Sequence, residues 1–229
     1  MKRFYKEVSV HEAEQGWQVL LDEKPMHTPA RRQLVAPTRA VAEAIASEWR
    51  MQGEQIDKAS LRLTGYAALA LDVVREQRHA VIAELLDYGD TDLLLYREDQ
   101  EANLQRQQAE NWDPWLRWAL DRYGLHFRVA SGIMPVEQNE DNILIYKGVL
   151  EDLGDWQLAL LAVVTKATTS LILGLAFSRN EANAQKLLHL SRLEEDFNIA
   201  KWGADGEALA KQQAVRAELE AAETLRAAL

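Results

Sequence analysis

The 229-residue chain contains no cysteine. It therefore has no disulfide, no thiol nucleophile and no thiolate metal ligand, and this composition fits a reducing compartment. Basic residues are fewer than acidic ones, 26 against 36, and no Lys/Arg cluster stands out. With a net charge of −10, we expect no binding to nucleic acid or to an anionic membrane, and a basic partner surface fits better.

Long apolar runs are also scarce. The segment from Leu158 to Phe177 is apolar enough to raise the question of a membrane helix, but Lys166 lies inside it. A central charge is costly in lipid, so we predict a buried central helix and no membrane insertion. The amino terminus lacks the features of a signal or transit peptide. We therefore expect a bacterial cytoplasm, or the mitochondrial matrix if a targeting segment has been removed.

Motifs for catalysis are missing as well. The five histidines are scattered, and neither a zinc-binding His spacing nor a Gly-rich phosphate loop nor Gly-x-Ser-x-Gly is present. We predict no enzyme activity, no cofactor and no metal. The alternative is a metal-dependent small-molecule enzyme that uses Asp87, Asp90 and Asp92. A helix that stops at Gly89, followed by polar turn residues, explains the same segment without a metal.

Three tryptophans, Trp112, Trp115 and Trp118, follow one another at a spacing of three. This spacing places their rings along one side of a helix. Anchoring of a core is the favoured interpretation, and a groove for a peptide is the alternative, which would make the chain a peptide-binding module.

The hydrophobic pattern changes period near Pro37. Before it, short alternating segments predict strands at Phe4–Val10, Trp17–Leu21 and Arg32–Val35. After it, Thr38 is a candidate N-cap, and helices are predicted at about 38–52, 60–75, 76–88, 100–123, 139–153, 155–178, 180–202 and 205–227. The fold class is therefore α+β, with a β-rich amino-terminal domain over residues 1–37 and a larger all-α domain over residues 38–229. Two later stretches with strand character, Asp92–Tyr96 and His126–Val136, are predicted to join the first sheet or to form a second one.

The segment from Ser191 to Gly203 carries three consecutive acidic residues within a helical pattern. On one continuous helix, Glu195 lies on the same side as Ile199 and Trp202. A carboxylate on an apolar face needs a partner, on another chain or within this one. A solvated charge run, or internal pairing of Glu195 with Arg192 or Lys201, explains the pattern equally. Gly203 is a candidate left-handed cap.

Several segments together resemble the ATP-twelve (ATP12) family of chaperones, which assemble the catalytic sector of ATP synthase. The resemblance spans nearly the whole chain. The similar segments are Arg3–Lys6, Val19–Asp22 through Thr28–Pro29, Leu34–Thr38, Ala44–Trp49, Gln55–Asp57, Tyr88–Leu93, Gly132–Val136 and the acidic segment that ends at Trp202–Gly203.

The resemblance implies a chaperone that binds the free alpha subunit and shields its beta-facing surface until assembly, without catalysis. It also implies that Glu195 is the main partner-binding residue. The weaker neighbours in this predicted site are Glu194, Asp196, Arg192 and Trp202. The sequence leaves the oligomeric state open, with a monomer favoured.

Three positions depart from the family pattern. Gly65 replaces a usual basic residue, Asn198 replaces a usual glutamine, and Asp22-Glu23-Lys24 replaces a usual Asp-Gly turn. The last change predicts a turn other than the favoured two-residue type.

Overall fold

A computed structural model describes residues 1–132 and 136–229 of the chain. It confirms the α+β class, because short strands are followed by a mostly helical chain. The strands are β1 (Val8–Ala13), β2 (Gly16–Leu21), β3 (Lys24–Pro25), β4 (Val35–Ala36), β5 (Tyr96–Arg97) and β6 (Ala130–Ser131). The α-helices are α1 (Arg39–Arg50), α2 (Arg62–Ala68), α3 (Arg75–Asp90), α4 (Ala102–Tyr123), α5 (Glu140–Glu151), α6 (Asp155–Thr168), α7 (Leu171–Ser178), α8 (Ala184–Ser191), α9 (Leu193–Trp202) and α10 (Gly206–Ala228).

The chain divides into two compact units. Unit 1 comprises residues 1–78, 154–160 and 221–229, and unit 2 comprises residues 79–153 and 161–220 as far as they are described. The first helix is thus grouped with the strands that precede it. The division into domains of residues 1–37 and 38–229 stays a prediction.

The sheet of unit 1 is built on the β1–β2 hairpin. These strands pair antiparallel from Val8↔Leu21 to Ala13↔Gly16, and β2 also pairs with β3 and β4. The strand predicted over Phe4–Val10 starts only at Val8, because the backbone N–H groups of Lys6 and Glu7 donate to the Asp22 carboxylate instead, both at 2.9 Å. The strand predicted at Arg32–Val35 is reduced to the two residues of β4.

The turn between β2 and β3 corrects a prediction. Leu21 pairs with Lys24, so Asp22 and Glu23 form a two-residue loop, and both have positive φ, 47° and 67°. This is the favoured type I′ backbone, although neither residue is glycine. The two hydrogen bonds that the Asp22 carboxylate accepts from Glu7 and Lys6 hold the loop, and they lower the pKa of Asp22.

Helix α1 packs on β1 and β2 and carries the centre of the core of unit 1. Its start is as predicted, since the Thr38 hydroxyl accepts from the Val41 N–H at 3.1 Å. Its fully buried face consists of Val41, Ala42, Ile45 and Ala46. The same Thr38 hydroxyl donates to the Ala228 carbonyl at 2.6 Å, which ties the end of α10 to this core.

The apolar segment predicted as one helix over residues 155–178 is buried but broken. Thr169 has φ 51°, and Ser170 caps α7 by accepting from the Leu173 N–H at 3.0 Å. Within the described residues, none of the helices has the length and apolarity that a membrane crossing requires.

Unit 2 also contains the predicted second small sheet, in which β5 and β6 pair in parallel at Tyr96↔Ala130 and Arg97↔Ser131. Residues 133–135, which belong to the predicted strand stretch and to the Gly132–Val136 motif, lie outside the described residues. Gly89 does not end a helix as predicted. It lies within α3, where an added Cβ atom would come within 2.8 Å of the Tyr146 ring.

Candidate functional site

The acidic segment begins at a break between two helices. Arg192 has φ −118° and ψ 16°, so α8 ends at Ser191 and α9 begins at Leu193. The continuous helix predicted over residues 180–202 is therefore wrong, but Glu195, Ile199 and Trp202 still belong to one helix, α9. The break places Glu194, Glu195 and Asp196 in the first turn of α9. Negative side chains are favourable there because the helix N-terminus carries a partial positive charge.

The carboxylate of Glu194 is held by a hydrogen bond inside unit 2. Its carboxylate accepts from Gln108 Nε2 at 2.6 Å, and burial raises its pKa. Gln108 is itself fully buried, and its backbone carbonyl accepts from Arg97 at 3.0 Å. The carboxylate of Glu194 therefore joins α9 to α4.

Glu195 is held far more loosely. Its side chain is 42% exposed, and its carboxylate lies 3.8 Å from Arg192 Nη1 and 3.9 Å from Lys211 Nζ. Charge-assisted hydrogen bonds are shorter, about 2.7–2.9 Å. Both cations compensate the charge of Glu195 while its oxygens keep capacity for a further donor. Lys201 pairs instead with Glu101 at 2.6 Å.

The cations around Glu195 differ in burial. Arg192 has only 3% of its side chain exposed, and its buried Nε has no hydrogen-bond partner among the described residues. Lys211, by contrast, is 68% exposed. No local pattern pointed to Lys211, because it follows Glu195 by sixteen residues and lies on another helix. Asp196 accepts from Gln212 of that helix at 3.4 Å.

Trp202 is the most exposed of the predicted site residues. Its side chain is 78% exposed, and it follows Glu195 by seven residues, which places both on one face of α9 about two turns apart. The ammonium group of Lys201 lies 5.6 Å from its ring centre. Gly203 ends the helix with φ 88° and ψ 159°, so its φ is positive as predicted, but the conformation is not left-handed helical.

The three carboxylates of the alternative metal-loop interpretation, Asp87, Asp90 and Asp92, are not brought together. Asp87 and Asp90 are exposed, whereas Asp92 is fully buried. Asp92 accepts from the N–H groups of Leu94 and Ile172, both at 3.0 Å, and so caps helical turns. Across residues 1–132 and 136–229, no group of three or more His, Asp or Glu side chains is placed to hold a metal ion.

The tryptophan series also has an internal role. Trp112 is fully buried, and its indole N–H donates to the Leu190 carbonyl at 3.0 Å, which confirms core anchoring at this position. Trp115 and Trp118 are half-buried and contact each other edge to face, with ring centres 6.4 Å apart. The rings thus do not form one open platform.

The chain matches known proteins over nearly its full length. Residues 2–120 match the family described as ATP12 chaperone protein. The crystal structure of Atp12 from Paracoccus denitrificans is 39% identical, with a TM-score of 0.92 over 99% of this chain and 97% of that one. The Atu1473 protein from Agrobacterium tumefaciens is 33% identical, with a TM-score of 0.93 over 99% of this chain and 85% of that one.

A curated relative, the mitochondrial protein atp12 of Schizosaccharomyces pombe, is 23% identical over 215 residues, which are 89% of this chain and 74% of the relative. The family match extends over half of the chain, and the solved structures agree with it from end to end. The chain therefore belongs to the ATP12 chaperone family, whose members assist the assembly of ATP synthase.

Proposed function

We propose that this chain binds the free alpha subunit of ATP synthase and shields its beta-facing surface until assembly, without catalysing a reaction. The contact is centred on Glu195, with Trp202 and Asp196 beside it. Arg192 and Glu194 act from within the protein. The bacterial source of two relatives supports a bacterial cytoplasm as the location.

The incomplete pairing of Glu195 is the observation that carries this proposal. A carboxylate with a bonded partner at 2.6 Å, such as Glu194, has little to gain from a second chain. Glu195, with its nearest cations at 3.8 and 3.9 Å, gains a short charge-assisted hydrogen bond when a partner donates one.

The exposed indole of Trp202 supports a protein partner. Large aromatic side chains dominate the affinity of many interfaces once they are desolvated, and a hydrogen-bonded charge beside them fixes the orientation of the partner and adds to the affinity. The face of α9 that carries both Trp202 and Glu195 combines these two roles. An assembling subunit exposes apolar surface that would otherwise aggregate, so binding alone is sufficient for protection.

Arg192 contributes indirectly, because a side chain that is only 3% exposed offers almost no surface to a partner. Its guanidinium lies 3.8 Å from the Glu195 carboxylate and orients it at the start of α9. Glu194 likewise fixes α9 to α4 through Gln108. In this proposal both residues position the contact.

The proposal is tested by mixing the chain with recombinant alpha subunit and measuring complex formation by size-exclusion chromatography and calorimetry, with beta subunit as the control. We expect a complex with alpha alone. Glu195→Gln removes the charge with little change of shape, and should weaken binding by about 10- to 100-fold.

The matched control is Glu84→Gln, which changes an exposed glutamate on α3 and should leave the affinity unchanged. Lys211→Gln removes a resident cation from Glu195 and should tighten binding a few-fold. Full affinity in a correctly folded Glu195→Gln variant would exclude the role of this carboxylate, and failure to bind alpha would overturn the proposal as a whole.

A further inference from the structure

Unit 1 contains a cavity whose lining includes no residue of the acidic segment. Its volume is about 620 Å³, within the range of roughly 300–1,000 Å³ that is usual for small-molecule sites. It is bounded by the amino-terminal segment, the turn after β2, and helices α1 and α2. All the residues that line it belong to residues 4–68, so the cavity is complete within this unit.

The wall of the cavity favours an apolar ligand. Tyr5, Met26, Trp49 and Leu61 contribute to its wall. The polar atoms of the two aromatic side chains are already bonded, since the Tyr5 hydroxyl donates to the Trp49 carbonyl at 2.7 Å and the Trp49 indole N–H donates to the Thr64 hydroxyl at 2.9 Å. The hydrogens of both groups are therefore already used. A ligand with a polar body would lose hydrogen bonds to water and would gain none from these two side chains.

The charged residues of the lining favour an anion. Lys24 and Lys58 are exposed there, and within the described part of the chain no carboxylate lies within 4.0 Å of either ammonium nitrogen. Asp22 also lines the cavity, but its carboxylate accepts from the N–H groups of Lys6 and Glu7. Neither lysine is therefore held in an ion pair, and Asp22, whose Oδ1 accepts both backbone N–H groups, attracts Lys24 only at longer range.

We propose that this cavity binds a small amphiphilic carboxylate, with its apolar body against Tyr5, Trp49 and Leu61 and its carboxylate near Lys24 and Lys58. The volume suits a molecule of this kind better than a single side chain of a protein partner. The site is independent of Glu195, and its test does not involve the alpha subunit.

Gly65 provides a way to close the cavity without disturbing the fold. It lies in α2 and lines the cavity, and an added Cβ atom would meet no heavy atom within 4 Å. Leucine is also a better helix former than glycine. The matched control is Gly148, an exposed glycine of α5 that has the same open surroundings and no place in the cavity lining.

The experiment is a fluorescence titration of the full chain with dansylaminoundecanoic acid, compared with its uncharged methyl ester. We expect saturable binding of the acid at one site. Gly65→Leu should weaken this binding at least about ten-fold because the side chain occupies the apolar space, whereas Gly148→Leu should leave it unchanged. Ala68→Leu, another substitution in the lining, repeats the test if Gly65→Leu does not fold.

The charge of the ligand is tested by the double variant Lys24→Gln, Lys58→Gln. It should weaken binding of the acid by about 3- to 10-fold, the size expected for two exposed charge contacts, and leave the ester unaffected. The proposal is overturned if Gly65→Leu and Gly148→Leu bind the acid equally, or if acid and ester bind alike in wild type. Equal binding of acid and ester means apolar adsorption only.

Discussion

The buried carboxylate of Asp92 caps two elements of unit 2. Its two oxygens accept from the N–H groups of Leu94 and Ile172, which belong to the short helical turn Leu93–Leu95 and to the start of α7. The first N–H groups of a helix have no partner within it, so one carboxylate satisfies donors of two elements. Burial raises its pKa to about 6, against the lowering effect of these hydrogen bonds.

This pKa predicts a pH dependence of stability. The folded chain binds the Asp92 proton more tightly than the unfolded chain, whose carboxyl has the ordinary pKa of 3.8. Between pH 3.8 and about pH 6 the folded state therefore carries the additional proton, and the free energy of unfolding falls as the pH rises.

The Asp92→Asn variant has no titrating group at this position, so its free energy of unfolding lacks this contribution to the pH dependence. We expect the stability advantage of wild type over Asp92→Asn, measured by urea unfolding, to shrink by about 2–3 kcal/mol from pH 4 to pH 7. An advantage that stays constant would contradict this assignment.

Gly89 permits a close contact between helices. An added Cβ atom would lie 2.8 Å from Tyr146 Cε2 and 3.2 Å from Leu171 Cδ2, and both residues are buried. Gly89→Ala should therefore lower the free energy of unfolding by about 1–3 kcal/mol, although alanine favours a helix. Gly148→Ala, at an open helical site, should instead gain up to about 1 kcal/mol. Equal effects of the two substitutions in denaturant unfolding would argue against the contact.

At the scale of elements, α2 depends on a cap from another helix. Leu61 precedes α2 and has no side-chain cap bond. The buried carboxylate of Glu48, in α1, accepts from the N–H groups of Leu63 at 2.6 Å and Thr64 at 3.0 Å, and from the Thr64 hydroxyl at 2.9 Å. Burial raises the pKa of Glu48, and these hydrogen bonds oppose the rise.

Glu48→Gln replaces one accepting oxygen with an NH₂ group, which cannot accept from a backbone N–H. We expect a loss of about 1–3 kcal/mol in the free energy of unfolding, measured with urea. Glu43→Gln is the control in the same helix, because Glu43 makes an exposed ion pair with Arg50 at 3.0 Å. The substitution should change the free energy of unfolding by less than about 1 kcal/mol. A loss as large at position 43 as at position 48 would refute the capping role.

These remote caps mark the limit of what the sequence predicts. The start of α1 was predictable because its cap, Thr38, is local. The breaks at Thr169 and Arg192 lie inside apolar helical patterns with no glycine or proline at the break itself, and α7 is capped partly by Asp92 from far along the chain. At the candidate site, resemblance and pattern indicated Glu195, but its pairing with Lys211 depends on two helices meeting and leaves no local signal.

At the scale of the molecule, neither of the two compact units is one continuous segment of the chain. Helix α10 begins among the residues of unit 2, and its last turns, from residue 221, belong to unit 1. In those turns Ala222 and Leu225 are buried, and the Ala228 carbonyl accepts from Thr38. The carboxyl-terminal residues are therefore part of the same core as the amino-terminal strands.

Two leucines of α10 test this arrangement with one substitution. Leu225 is 1% exposed, whereas Leu209, near the start of the helix, is 45% exposed. Leu225→Ala should lower the free energy of unfolding by about 2–5 kcal/mol because it leaves a cavity, and Leu209→Ala should change it by less than about 0.5 kcal/mol. Hydrogen exchange should locate the loss of protection caused by Leu225→Ala in α1 and its neighbouring strands. Faster exchange confined to α10 would instead mean that these last turns are not part of the core of unit 1.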